Sequence, residues 1–306
     1  ACRIDGSTQF LVSEMGSRGA GHIEWLTSLV GLDVGMVLNV GRAHVGEFGG
    51  IERTARAKSE IITGLEPGGW AVLNADDPAC RAMRDATVAR VAWFGEGDLP
   101  EGDLKVAARD VVCDESARAS FTLAVTRESE TVSVPVSLRV IGRHQVSNAL
   151  AAAAAGLAVG MTVSEVAGAL SAAESRSDWR MELVHCSRDR IVLNDAYNAN
   201  PSSMRAAIDN FSAWTVAPKA VILGDMYELG EESPSLHAEV VRRLEACGFD
   251  RVILCGPRFA AVSGPFTCYP TVEALTAALT ESPLSGYHIL IKGSHGMHLE
   301  CLIAAL

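Results

Sequence analysis

No stretch of this 306-residue chain approaches the roughly 20 consecutive apolar residues that a membrane-spanning helix requires. Its first residues also lack a basic stretch followed by an apolar core, so the chain reads as soluble, non-exported and cytoplasmic. The eight cysteines are scattered, with no C-x-x-C pair. That excludes a zinc ribbon and points to reduced thiols. Aromatic residues make up only 6%, while alanine and glycine abound, which suits helices packed tightly on a sheet better than a β-sandwich. Basic residues are outnumbered, 26 against 37, for a net charge of −11. This is a poor electrostatic footprint for nucleic acid, although helix N-termini and a few arginines can still hold a small anion locally. There is no internal repeat and no low-complexity tract.

What is present is a 48% hydrophobic chain long enough for about two domains. In residues 1–177, strands are expected at 10–13, 35–40, 70–74 and 90–94, alternating with helices at 22–30, 53–65 and 78–86. Such alternation predicts a mostly parallel α/β sheet. Three further strands at 104–113, 120–126 and 131–138, joined by charged turns, predict a small antiparallel addition. Helices follow at 146–159, almost all small residues, and at 163–172. A boundary is expected in the polar stretch 175–179. Beyond it, in residues 178–306, strands at 191–194, 220–223, 251–255 and 288–291 alternate with helices at 204–211, 235–246, 272–279 and 298–305, a Rossmann-like pattern.

The most informative string is Asp195-Ala196-Tyr197-Asn198-Ala199-Asn200-Pro201. It follows a short apolar strand and precedes a helix in which Pro201 suits the first turn, with Ser202 or Ser203 able to satisfy free backbone amides. An acid, a phenol and carboxamides thus stand at the carboxyl end of a strand, where open α/β sheets place ligands. Residue by residue, an ordinary turn leading into a capped helix explains the same composition.

Other strings fall in a telling order: Glu14-Met15-Gly16, Asn39-Val40-Gly41-Arg42-Ala43-His44, Ala57-Lys58-Ser59-Glu60-Ile61 and Gly142-Arg143-His144-Gln145-Val146-Ser147-Asn148. Leu223-Gly224-Asp225-Met226-Tyr227-Glu228-Leu229-Gly230 and Lys292-Gly293-Ser294-His295-Gly296-Met297 complete the set. Together they resemble the Mur ligases over essentially the whole chain, most closely the branch that adds D-alanyl-D-alanine to a cell-wall precursor. The resemblance implies a central ATP-binding domain followed by a Rossmann-like ligase domain. It also implies ATP and Mg2+ as cofactors, and UDP-N-acetylmuramoyl-tripeptide and D-alanyl-D-alanine as substrates joined through an acyl phosphate. A monomer in the cytoplasm is expected. Sister ligases, including folate polyglutamyl ligases, are the enzyme alternatives, and a non-catalytic binding module is the alternative of another class.

The resemblance also implies roles. Glu14, His44 and Lys58 become metal ligands, with Lys58 carbamylated by CO2. His44, Lys58 and Arg180 become catalytic. Taken singly, a surface Glu or His and a solvated helix lysine are the ordinary alternatives. Asn39, Asn148, Arg180, Asp195 and Asn198 fall to the nucleotide. A carboxamide such as Asn148 offers the donor and acceptor that an adenine edge needs, and helix capping is its plain alternative. Tyr197, Asn200, Lys292 and Ser294 fall to the substrate, with the turn at Lys292-Gly293-Ser294 able to offer backbone amides to an anion.

Three departures stand out. The family pattern has proline where Arg42 stands, asparagine where Gln145 stands, and arginines where His295 and His298 stand, which makes charge at those last positions depend on pH. No G-x-x-G-K-[ST] loop occurs in the chain. Its backbone amides and lysine would cradle the β- and γ-phosphates. In the family that loop lies upstream of the Glu14 string, after a uridine-nucleotide domain. The chain is therefore expected to represent the C-terminal portion of a ligase, without turnover by itself.

Overall fold

The computed structural model describes residues 4–17, 19–40, 51–115, 117–174, 178–186 and 190–306. Two six-stranded sheets organise them. The first follows strand order β1 (Val34–Val37), β2 (Trp70–Asn74), β3 (Arg90–Gly95), β4 (Leu104–Cys113), β5 (Arg118–Arg127) and β6 (Glu130–Ile141). Strands β1 to β4 pair in parallel, and β4, β5 and β6 are antiparallel. Every residue of β2 is buried, as expected of a strand covered on both faces. β5 instead alternates buried and half-buried residues, one face turned inward. Its turn into β6 places Glu128 and Ser129 both at positive φ, the geometry of a two-residue hairpin whose twist matches its strands.

Helices α1 (His22–Leu29), α2 (Ile51–Thr63), α3 (Pro78–Ala82), α4 (Gln145–Ala158) and α5 (Val163–Ala172) accompany this sheet. The small side chains Ala149, Ala151, Ala153 and Ala154 of α4 are buried in one core with Val72, Phe94, Leu104 and Leu123. Alanine at these positions lets the helix axis lie close to the sheet. A second core, around Leu73, Val91 and Trp93, takes in Ile62 of α2 and Cys80 of α3. Thr162 and Glu165 start α5 with a reciprocal capping box.

The second sheet runs β11 (Thr267–Tyr269), β10 (Arg251–Cys255), β9 (Lys219–Gly224), β12 (His288–Lys292), β8 (Arg190–Asp195) and β7 (Glu182–Cys186). All its pairings are parallel except the edge pair β7–β8. Its helices are α6 (Pro201–Ser212), α7 (Ser233–Cys247), the one-turn α8 (Pro257–Ala260) and α9 (Val272–Glu281). The chain leaves β8, skips one place to β9, and later returns through β12 between them. The carboxyl ends of β8, β12 and β9 are thus the topological switch point, where α/β sheets form their crevice.

Several expectations are corrected. Residues 10–13 form no strand: Phe10, Leu11 and Val12 are 69%, 48% and 96% exposed, because an apolar run becomes a strand only against a partner ladder. The expected helix at 298–305 is a 3₁₀ segment, Leu299–Ala305. Edge strands β7 and β11 and the one-turn α8 escaped the sequence pattern, being short and mixed in polarity. Among the described residues no helix is long and apolar enough to cross a membrane.

Candidate active site

The switch point of the second sheet is held by one buried ion pair. Asp195 ends β8 and Lys292 ends β12, paired in register. Lys292 Nζ lies 2.6 Å from Asp195 Oδ2 and donates to the Asn198 carbonyl at 2.8 Å. The two side chains are only 3% and 14% exposed. Burial pushes the Lys292 ammonium down from its ordinary pKa, and the Asp195 carboxylate opposes that shift. The other Asp195 oxygen accepts from the Met181 amide at 3.2 Å. Lys292, expected as a ligand for the substrate, here fixes the polar turn of the strongest sequence string.

That turn brings several expected residues together. Arg180 is exposed, its guanidinium 4.3 Å over the Tyr197 ring. Tyr197 donates its amide to the Trp179 carbonyl at 3.1 Å. Trp179 and Met181, on either side of Arg180, both adopt left-handed backbone, with φ of 60° and 49°. Each such non-glycine residue costs about 1–3 kcal/mol, strain that clusters where a side chain must be aimed. Asn198 is exposed, its Oδ1 bonded to the Ala199 amide.

Asn200 and Ser294 are used differently from expectation. Asn200 caps α6 together with Ser203, one of the two serines expected there: the Asn200 side chain accepts from the Ser203 amide at 2.8 Å, and Ser203 Oγ accepts from the Asn200 amide at 3.0 Å. Pro201 takes the first helical turn, as its sequence position implied. Ser294 is buried, its amide spent on the Asp225 carbonyl and its hydroxyl accepting from the Tyr227 amide. The Lys292-Gly293-Ser294 turn therefore does not offer a free Ser294 amide to an anion.

The Leu223–Gly230 string closes the other side of the crevice through residues to which the sequence gave no role. Asp225 is 1% exposed and accepts from the Arg258 and Phe259 amides, at 3.0 and 2.9 Å, as α8 begins. Gly256, at φ +113°, leaves room for it, since a Cβ there would stand 2.4 Å from the Asp225 carboxyl carbon. Fully buried His237 accepts from the Met226 amide at Nε2 and meets the Ser233 carbonyl through Nδ1 at 2.7 Å, which assigns its proton to Nδ1. Burial holds its pKa below the usual histidine value. An aspartate followed by a histidine twelve residues later was the available signal, and spacing alone does not show that they meet.

On the first sheet the expected residues are more loosely held. Lys58 is half-buried and its Nζ donates to the Asn39 carbonyl at 2.7 Å. Burial lowers its pKa, while Cys80 and Asp77 pull the other way. Asp77 braces the carboxyl ends of β1 and β2, accepting from the amides of Val40, Ala79 and Cys80. Glu60, in the same string as Lys58, binds the Gly21 and Glu24 amides and so caps α1 across 39 and 36 residues. Asn148 is exposed and donates to the Gln145 side chain, so it does not cap α4. Glu14 is exposed on irregular chain rather than at a strand end. His44 lies outside the described residues, as do Gly41, Arg42 and Ala43. Among the described residues no group of three His, Cys, Asp or Glu is placed to hold a metal ion.

A cleft of about 690 Å³ separates the start of α4 from the second unit, lined by Arg143 and His144 on one side and by Asp209, Asn210 and Trp214 on the other. His144 reaches solvent, yet surrounding protein lowers its pKa, with Asp195 opposing and Lys292 adding to the shift. Beside the cleft the units touch through apolar atoms, Ala117 and Ile141 joining the core of Phe211, Met204 and Met181.

Two α/β units, one on a mixed sheet and one on a mostly parallel sheet, with a cleft between them, define the architecture, and comparison with known proteins shows the family to which it belongs. The family model described as Mur ligase middle domain matches residues 3–156, and that described as Mur ligase, glutamate ligase domain matches residues 179–295. The chain belongs to the Mur ligase family. It is 37% identical over 334 residues to the UDP-N-acetylmuramoyl-tripeptide–D-alanyl-D-alanine ligase of Mycobacterium leprae, covering 99% of this chain and 64% of that protein. The corresponding Escherichia coli ligase is 31% identical over 309 residues, with 99% and 66% covered. Among solved structures, MurF from Acinetobacter baumannii superposes with a TM-score of 0.82 at 30% identity, covering 94% of this chain and 62% of that one. The chain thus spans about two thirds of the length of these relatives.

Proposed function

We propose that this chain carries the cleft-facing machinery of an ATP-dependent amide ligase that adds D-alanyl-D-alanine to UDP-N-acetylmuramoyl-tripeptide. The Asp195–Lys292 pair carries this reading, because it ties two family strings 97 residues apart into one rim beside Arg180. On this reading residues 1–177 hold the nucleotide and residues 178–306 close on it. Arg180 reaches the phosphates, and Asn39, Asn148 and Asn198 approach the nucleotide from opposite sides of the cleft. Asp195 fixes the turn and faces the same space. Closing the cleft excludes water from the activated carboxyl group. Tyr197 and Asn198 are the exposed members of the turn left to meet a substrate, whereas Asn200, Lys292 and Ser294 support it from within.

ATP supplies the phosphoryl group that activates the tripeptide carboxylate, and Mg2+ supplies charge neutralisation at the phosphates. Glu14, His44 and a carbamylated Lys58 would hold the metal. Lys58 suits its part: a lowered pKa leaves more of the neutral amine that CO2 requires, with loss of one proton on carbamate formation. The cytoplasm, where ATP is made and spent, is the compartment that fits.

Phosphate release from ATP, measured with both substrates, tests the reading on this chain and on a longer one carrying a phosphate loop upstream. Turnover that needs both substrates, in the longer chain alone, supports it. Turnover with glutamate or a diamino acid in place of the dipeptide would move the assignment to a sister ligase, and turnover in neither chain would overturn it.

A further inference from the structure

Arg180 is the one cation expected to reach the phosphates from the second unit, and long arginine stems are rotamer-rich, so something must keep its guanidinium aimed. Three planar side chains stand in line to do so. The His295 ring stacks on Tyr197 with centroids 5.6 Å apart and planes 25° apart, and on Trp179 at 5.4 Å and 24°. His298 meets His295 edge-on at 5.6 Å. The guanidinium of Arg180 lies over Tyr197.

The backbone beneath this row is pinned independently. The Trp179 amide donates to Glu182, the Met181 amide to Asp195, and the Tyr197 amide to the Trp179 carbonyl. His295 stands where the family pattern has an arginine, and here its ring joins the row as a flat partner for both aromatic rings.

We propose that Tyr197 is a positioning residue for Arg180, backed by His295 and Trp179, and that this row presents the guanidinium to the phosphates of a nucleotide. The proposal rests on the nucleotide reading above and changes the part given to Tyr197, from touching substrate to aiming a cation. A guanidinium over an exposed ring gains a modest attraction, and the ring also removes rotamers that would point it elsewhere. The face of the ring does this work and the phenol oxygen does not.

ADP and adenosine titrated separately into this chain by calorimetry test the proposal, because adenosine lacks the phosphates that Arg180 would meet. Tyr197→Leu should weaken ADP about two- to fivefold, the size of an exposed cation–π contact, and leave adenosine unchanged. Tyr197→Phe, which keeps the ring face, should restore ADP binding. In an Arg180→Met background, Tyr197→Leu should cause no further loss. NMR of selectively labelled arginine adds a readout independent of any ligand: the Arg180 side-chain resonances should lose their ring-current shift in Tyr197→Leu and keep it in Tyr197→Phe. Loss of ADP affinity in Arg180→Met with none in Tyr197→Leu overturns the inference and leaves the nucleotide reading standing. Equal weakening of ADP and adenosine by Tyr197→Leu also overturns it, marking a general structural role. An ADP affinity indifferent to Arg180→Met, in this chain or in the longer one carrying a phosphate loop upstream, overturns the nucleotide reading of this rim and the inference with it.

Discussion

The strand ends of the two sheets that carry the family strings are built differently. Among the described residues of the first unit, the ion pairs between Arg143 and Glu96 and between Arg139 and Glu174 are exposed or half-exposed. Among the described residues, Lys58 holds on to the Asn39 carbonyl and Asn148 to the Gln145 side chain. The second unit has exposed pairs too, Arg243 with Asp209 and Arg205 with Glu239, but at its crevice the charges are sunk, Lys292 on Asp195 and Asp225 on two helix amides, with His237 beneath. The contrast shows where each rim obtains its geometry. The second is preassembled by buried polar groups that must be paired, and the first leaves its expected ligand-facing groups open to solvent. A buried polar group left unpaired is far more costly than an exposed one, so the same type of substitution should weigh differently on the two sides.

The largest effect is expected at Lys292. Replacing it with methionine leaves the Asp195 carboxylate buried without its cation and should cost about 3–5 kcal/mol. Denaturant titration would measure it, and hydrogen exchange would show lost protection in β8, β9 and β12 with β2 and β3 spared. A loss below about 1 kcal/mol would erase the contrast between the units. Gly256→Ala comes next, at about 2 kcal/mol, because it combines a strained positive φ with a Cβ pressed on Asp225. A melting temperature unchanged in that variant would mean that Asp225 is not fixed there.

His237 gives the second unit a pH dependence. Its folded pKa lies below the unfolded value of about 6.5, so the unfolded chain binds the extra proton first. Its contribution is therefore complete above about pH 6.5 and is lost as pH falls toward the folded pKa, by at most about 1.4 kcal/mol per pH unit. Stability measured from pH 7.5 to 5 should show this slope, and His237→Gln should flatten it. An identical slope in the variant would assign the protons to other groups. His144 shifts in the same direction and belongs in the same titration as a control.

Asn200→Ala removes the α6 cap and should cost about 1 kcal/mol. If dipeptide affinity fell instead, with stability intact, Asn200 would return to the substrate side. The smallest effect is expected for Arg143→Gln in the first unit, about 0.2–1 kcal/mol and fading with added salt, because its bridge to Glu96 is half exposed.

Much of this was legible beforehand for identifiable reasons. Parallel strands covered on both faces read as short apolar runs, so β2, β9, β10 and β12 stood out between amphipathic helices. The composition of α4 foretold close packing on the sheet. Edge elements were less legible: β7 carries polar residues, β11 has three residues, and the apolar run at 10–13 mimicked a strand that found no ladder. At the site, Asp195 and Lys292 were marked by their strings and Arg180 by its match to the family pattern. Asp225, His237 and Glu60 were present in the sequence without a visible partner, since each acts on a backbone amide supplied by a remote segment.

The sequence by itself determined the alternation of strands and helices, the family, and the strings that line the cleft, because local periodicity and turn chemistry act over a few neighbouring residues. Only the tertiary structure decided which polar groups are paired within the scaffold and which stay exposed. Lys292, expected at the substrate, is also a buried counter-ion, Ser294 a loop tie and Asn200 a helix cap, and Tyr197 lies under the Arg180 guanidinium. Those assignments depend on desolvation and on partners up to 97 residues away, and both exist only once the sheets have formed.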